Sequence, residues 1–210
     1  MRVLIIGASQ GIGLETTRHA LETGYQLRAF ARSANAIGLT NQHLEKARGD
    51  ALITHDVEAA LIGVNVVIQT VGIGLADLFR PVTLFSDATQ VLLAAMCAHG
   101  VKRLICVTGF GAGDSRSSIN CLQQVPFQVV FGRAYEDKSQ QERLIKESAL
   151  DWTIARPGVL TGGPRTGHYK ILSEASQWRN GFISRSDVAD FLVRQIEDQA
   201  FLHKTPVLVN

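Results

Sequence analysis

The chain reads as an α/β domain, a doubly wound and mostly parallel sheet, and three observations predict it. Apolar runs recur along the sequence with helical patterns between them. The runs are almost continuously hydrophobic, as strands covered by helices on both faces must be. The first run breaks on glycine and restarts as a helix. With 210 residues, 46% of them hydrophobic, the chain can fill one core and is short for two. A single domain over residues 1–210 is expected.

In chain order, strands are expected at residues 2–6, 26–31, 64–71, 103–108 and 152–156, with a weaker one at 47–52 completing the first half of the sheet. Helices are expected at residues 12–23, 55–61, 87–99, 136–148 and 187–198. Gly24, Gly63 and Gly100 each stand between a helix and the next strand, the place of a left-handed helix terminus. Ser186 and Asp187 offer side-chain oxygens to the unpaired N–H groups at the start of the last helix, with Asp190 one turn on. No repeat, low-complexity tract or linker interrupts the pattern.

The first strand-to-helix turn carries the most specific chemistry. It reads Gly7, Ala8, Ser9, Gln10, Gly11, Ile12, Gly13. Holding the pyrophosphate of a dinucleotide requires a tight turn, a bare backbone and close helix-to-sheet packing, which Gly7, Gly11 and Gly13 supply in turn. The helix then directs free N–H groups and a positive dipole end at the anion. At the end of the second strand an NAD-specific protein carries an acid for the ribose hydroxyls, whereas this chain has no Asp or Glu between Glu22 and Glu45. Arg32 pairs with a 2′-phosphate and Ser33 adds a hydrogen bond in this reading, which favours NADP over NAD, with Arg28 a competing candidate. Asp50, followed by Ala51, stands where an adenine amino group is met.

The other features narrow the class. A net charge of +2 with scattered Lys and Arg argues against nucleic acid. No apolar run reaches the roughly eighteen residues of a membrane span, and the N-terminal strand lacks the pattern of a signal peptide. A cytoplasmic protein, monomeric or weakly dimeric, with a small-molecule substrate is expected. Cys97, Cys106 and Cys121 have neither CxxC nor metal-ligand spacing and read as reduced structural thiols. His19, His43, His55, His99 and His203 show no metal-ligand pattern, and no metal is expected.

Taken in order, Gly7 to Gly13, Gly49-Asp50, Gln69-Thr-Val-Gly72, Val107-Thr-Gly109, Lys138-x-x-x-Glu142, Ala155-Arg-Pro-Gly-Val-Leu160 and Ile183-Ser-Arg-Ser-Asp-Val-Ala189 resemble the short-chain dehydrogenase/reductase superfamily. The resemblance is to its small atypical branch of NmrA-like and biliverdin reductase B-like NAD(P)H-binding proteins, and covers nearly the whole chain. It implies a Rossmann fold. It also implies that Thr70, Val71 and Gly72 line the cofactor, that Thr108 stands at the active-site Ser/Thr position, and that Pro157, Gly158, Val159 and Leu160 pass the nicotinamide. Lys138 is implied to hold the nicotinamide ribose.

Two features depart from the pattern. The glycine spacing is that of the full-length dehydrogenases. A tyrosine one helical turn before Lys138 is replaced by Ala134, with Tyr135 only three residues ahead of the lysine. Tyr135 remains a candidate general acid or base, displaced by about 100° around the helix.

On the substrate side, residues 109–120 and the loop 161–169, with Arg165, His168 and Tyr169, are expected at the carboxyl edge of the sheet, within a small substrate-side segment of about residues 160–185. Trp178 and Phe182 read as packing. The function these readings favour is hydride transfer from NADPH to a small flat acceptor, flavin or quinone-like, which tolerates a missing tyrosine. A non-enzymatic NADP-binding regulator of the NmrA type is the alternative, and an epimerase or carbonyl reductase a third.

Overall fold

The structure, a computed structural model, describes residues 1–72, 83–118 and 121–210, with the backbone alone over 121–131. Eight strands form one sheet in the spatial order β3-β2-β1-β4-β5-β6-β10-β8. These are β1 (Arg2–Ile6), β2 (Gln26–Ala31), β3 (Leu44–Arg48), β4 (Val66–Gln69), β5 (Arg103–Val107), β6 (Asp151–Pro157), β8 (Lys170–Leu172) and β10 (Val207–Val209). All pairings are parallel except β10 with β8. A second, two-stranded parallel sheet pairs β7 (Val159–Thr161) with β9 (Phe182–Ser184). The doubly wound, mostly parallel class is as expected.

The alternation along each buried strand divides the core between two faces. Val3 and Ile5 of β1 join Leu27, Ala29, Val66 and Ile68 under α1 (Gly11–Glu22) and α5 (Arg185–Arg194). Leu4 and Ile6 face the other way, with Phe30, Val67, Leu104 and Cys106, under α2 (Thr54–Leu61), α3 (Leu84–His99) and α4 (Cys121–Glu147). Both faces are covered, so the strands carry no polar alternation. Gly24, Gly63 and Gly100 take the left-handed conformation after α1, α2 and α3.

Several boundaries differ from expectation, each for a physical reason. The third strand is Leu44–Arg48 and not 47–52, because it is a polar edge strand, buried on neither side, that lacks an apolar run. β4 is shorter than 64–71. The helix expected at 136–148 is the last part of the 27-residue α4. Helix α5 begins at Arg185 because Ser184, two residues before Ser186, is the cap. The Ser184 hydroxyl accepts from the Asp187 N–H at 3.0 Å. The helix ends at Arg194 and not at 198. Strands β7 to β10 escape the sequence pattern because three residues or so show no periodicity. Of these, β10 and β8 extend the main sheet beyond β6, and β7 and β9 form the separate pair.

Candidate functional site

At the carboxyl end of β1 the three glycines do three different jobs. Gly7 turns the chain with φ +87, and a Cβ there would lie 2.7 Å from the Thr70 carbonyl oxygen. At Gly13 a Cβ would collide with the Gly7 carbonyl oxygen and stand 2.6 Å from the Thr70 hydroxyl, so α1 packs here by backbone contact. Gly11, the first residue of α1 with φ +57, has nothing within 4 Å of a Cβ position and opens to a cleft. Gln10, the N-cap, gives no side-chain hydrogen bond, and no acid lies in the first turn. Among the described residues the first N–H groups of α1 have no side-chain acceptor, the condition under which a helix start takes an anion.

The cleft has a volume of about 520 Å³ and runs along the carboxyl ends of the strands, from β3 and β2 past the glycine turn to β5, β6 and β7. At one end Arg32, Ser33, Asp50 and Ala51 line it, with Phe30, Gly49 and Leu52. Arg32 is exposed and makes no ion pair among the described residues. The Ser33 hydroxyl donates to the Ser9 hydroxyl at 3.0 Å, tying the end of β2 to the glycine turn. The Asp50 N–H donates to Asp56 at 2.9 Å, and the Asp50 carboxylate accepts from the Leu52 N–H at 3.0 Å. The competing Arg28 is removed from consideration. It is buried against the end of α2, away from the cleft lining, donates to the carbonyls of Ala60 and Ile62 at 2.7 and 2.9 Å, and pairs with Glu45 at 2.9 Å. It closes the end of α2.

At the other end the lining comprises Thr70, Val71, Gly72, Thr108, Lys138, Pro157 and Leu160, joined by Val107, Leu84 and Arg185. Thr108 follows β5 directly, with its hydroxyl donated to Glu142 at 2.7 Å, leaving its oxygen lone pairs for the cleft. The Lys138 ammonium donates to the Thr108 carbonyl at 2.6 Å and stands 5.1 and 5.2 Å from the rings of Phe85 and Tyr135. Burial lowers it to about 8, with Glu142 pulling the other way. Tyr135 does not line the cleft. Its hydroxyl lies beside Gly109, where a Cβ would meet it at 2.7 Å, and burial pushes the phenol up to about 12.

Beneath the cleft lies an ion network that no single motif reveals. Glu142, 1% exposed, accepts from Thr108 and from the Arg156 Nε at 2.9 Å, and a second bond joins it to the Arg156 Nη2. Arg156 is fully buried, also reaches Asp114, and lies under the Trp178 ring at 5.0 Å. Burial alone would lower the Arg156 guanidinium, but Glu142 and Asp114 more than reverse this and it stays charged.

Other expectations need correction. Ala8 is buried and does not line the cleft; Gly13 does not line it either, and packs helix on sheet as its place in the turn led us to expect. Gly158 is pressed against the Gly181 carbonyl and Val209, and Val159 is 47% exposed, pointing away from Leu160. The loop 161–169 turns back onto α1 and α5, because Asp187 accepts the N–H groups of Thr166 and Gly167 at 2.7 and 2.9 Å. Arg165 pairs with Glu22 at 3.4 Å and contacts His19, while Tyr169 donates to Asp190 at 2.8 Å. None of Arg165, His168 and Tyr169 lines the cleft.

The segment after β5 is packed, with Phe110, Ala112 and Ser115 buried and a 3-10 helix at Gly113–Ser118; positions 119 and 120 lie outside the described residues. Trp178 packs as expected, its indole N–H on the Leu172 carbonyl at 3.1 Å, whereas Phe182 is 64% exposed. Cys106 is buried and Cys97 exposed, both free, and the Cys121 side chain lies outside the described ones. Among the described residues no group of His, Cys, Asp and Glu could hold a metal, and no helix is long and apolar enough to cross a membrane.

Comparison with known proteins places this geometry in a family. A family profile described as NAD(P)H-binding matches residues 7–199. The chain is 28% identical over 207 residues to the uncharacterized sugar epimerase YhfK of Bacillus subtilis, covering 95% of this chain and 89% of that one. It is similar in structure to the anaerobilin reductase ChuY of Escherichia coli O157:H7, with a TM-score of 0.81, 25% identity and coverage of 100% and 97%. A short-chain dehydrogenase/reductase of Veillonella parvula, solved in complex with NADP, shares the fold at a TM-score of 0.83, with 17% identity and coverage of 100% and 94%. The chain belongs to the NAD(P)H-binding family, on the Rossmann fold of the atypical short-chain dehydrogenases/reductases.

Proposed function

We propose that the cleft binds NADP(H) and that the chain is a reductase delivering hydride to a small flat acceptor of the flavin or quinone class. The observation that carries this reading is one continuous cleft in which Arg32 and Lys138 stand at opposite ends of an uncapped glycine turn. Ser9, Gly11 and Ile12 would hold the pyrophosphate, Arg32 and Ser33 a 2′-phosphate, and Asp50 and Ala51 the adenine edge. Thr70 to Gly72, Pro157 and Leu160 would border the nicotinamide, with Thr108 and Lys138 on its ribose side. The bound cofactor supplies the hydride, and the chain supplies proximity and orientation. The reductase name of ChuY, at 25% identity, supports the reaction class.

Arg32→Glu tests the cofactor assignment. Exchanging a charge-assisted bond for repulsion should weaken NADPH by about a hundredfold while NADH changes severalfold at most. Calorimetric titration of both cofactors reads this directly. A parent chain that binds NADH more tightly than NADPH overturns the role of Arg32.

The position of Tyr135 off the cleft bears on mechanism. A reduced flavin or quinone takes its proton from solvent, so Tyr135→Phe should change turnover by less than about tenfold, against about a hundredfold for a positioned general acid. A hundredfold loss with NADPH affinity intact would make this a tyrosine-dependent carbonyl reductase. The same displaced tyrosine favours, as a second reading, an NADP-binding regulator without turnover. That reading predicts tight NADPH binding and no oxidation with any member of a panel of flavins, quinones and aldehydes.

A further inference from the structure

Among the described residues lining the cleft, four carry charge: Arg32 and Asp50 at the β2 and β3 end, Lys138 and Arg185 at the β5 to β7 end. Among the described residues the second pair has no lining acid to balance it. Lys138 is committed to the Thr108 carbonyl. Arg185 also donates to a single carbonyl, but from a fork of five N–H donors. It is half-buried and steadied by one hydrogen bond, Nη1 to the Thr161 carbonyl at 3.1 Å, and it forms no ion pair among the described residues.

Its backbone is held more firmly than that single bond suggests. Ser184 caps α5, Asp187 ties the same turn to Thr166 and Gly167, and burial of Asp187 is outweighed by the N–H bonds it accepts. The first residue of α5 is therefore fixed at the rim of the cleft. A guanidinium with one donor used keeps the rest of its fork for an oxyanion.

We infer that Arg185 is an anion anchor of the cleft, and that the group it takes is the carboxylate or phosphate of the acceptor. This rests on the reading of the cleft as a reductase site. The cofactor's pyrophosphate is the other source of the same chemistry. The bond of Arg185 to Thr161, at the end of β7 and beside the part of the cleft that Pro157 and Leu160 line, favours the acceptor; because α5 also packs on α1, with the Ser186 hydroxyl 3.4 Å from Glu15, the NADP⁺ titration below decides against the pyrophosphate. An anchored cation there also explains how a cleft that offers flat apolar contacts from Leu84, Pro157 and Leu160 would fix the orientation of a flat acceptor.

FMN and riboflavin share one ring system and differ by a phosphate, so the pair isolates the anion. Flavin fluorescence titration of the NADP⁺-loaded chain should give FMN about tenfold tighter than riboflavin. Arg185→Gln, which keeps a donor for Thr161, should erase that preference and leave NADP⁺ affinity within about threefold of the parent. Arg185→Lys, which keeps the charge, should retain most of it. A parent that holds the two flavins equally, or an Arg185→Gln chain that still prefers FMN, overturns the proposal. So does a loss of NADP⁺ affinity that matches the loss of FMN, which would put the guanidinium on the cofactor. NADPH oxidation measured alongside separates the two readings: FMN bound through Arg185 but never reduced would leave the anchor standing and remove the reductase.

Discussion

Replacing Glu142 by alanine is expected to cost about 3–5 kcal/mol of folding free energy, the usual result of breaking a buried ion pair by removing one partner. Among the described residues Arg156, fully buried, would keep only Asp114, whose side chain is 60% exposed, as a charged partner, and its Nη1 already lacks a hydrogen-bond partner there. Thr108 would lose the acceptor of its hydroxyl, so the damage reaches the cleft. For a chain of this size the melting temperature should fall by on the order of 10 °C. The double variant Glu142→Gln with Arg156→Met should recover much of that loss. It removes both charges, keeps a carbonyl for Thr108, and fills the site with a flexible apolar chain. Thermal or urea unfolding of the three chains decides the matter. A single-variant loss under about 1 kcal/mol would mean that water, or Asp114 turning inward on Arg156, takes over the vacated place.

That network shows where sequence reading stops. Glu142 and Arg156 both stand in motifs that mark the family, yet nothing in either motif says that one side chain meets the other, since α4 and β6 meet only in the fold. What was legible was local. The β1 run and the glycine spacing define a turn within thirteen residues, and Arg32 follows from the end of β2 by counting. Apolar lining such as Leu52 and Leu84 was invisible, because apolar residues of a cleft and of a core look alike in sequence. Arg165 and Tyr169 misled for the opposite reason: their chemistry suggested a ligand, but the loop they occupy is tied back by Asp187 onto α1 and α5, where Glu22 and Asp190 receive them. The signal for that tie was present, since Ser184-x-x-Asp187 has capping-box spacing and fixes both the start of α5 and the direction of the loop. It also brings Arg185 to the cleft.

The glycine turn offers the sharpest separation between holding the fold and holding a ligand. Gly13→Ala should cost about 3 kcal/mol or more, because the new methyl collides with the Gly7 carbonyl and the Thr70 hydroxyl, backbone and strand-end groups that cannot rotate away. NADPH affinity should fall about a hundredfold with it, since displacement of the turn by even an ångström misplaces every N–H group aimed at the pyrophosphate. Gly11→Ala should behave differently. Its φ of +57 costs an alanine only about 1–2 kcal/mol, and among the described residues the methyl meets no atom within 4 Å beyond its own chain neighbours and helix backbone. The space it enters is the mouth of the cleft, where the phosphates would sit, so NADPH affinity should drop at least tenfold in a chain that melts within a few degrees of the parent. Calorimetry with NADPH and thermal unfolding, run on both variants, read the two effects independently. A Gly11→Ala chain that binds NADPH like the parent would remove the phosphates from the start of α1, and a Gly13→Ala chain with parental stability would mean that α1 can slide away from β1 at little cost.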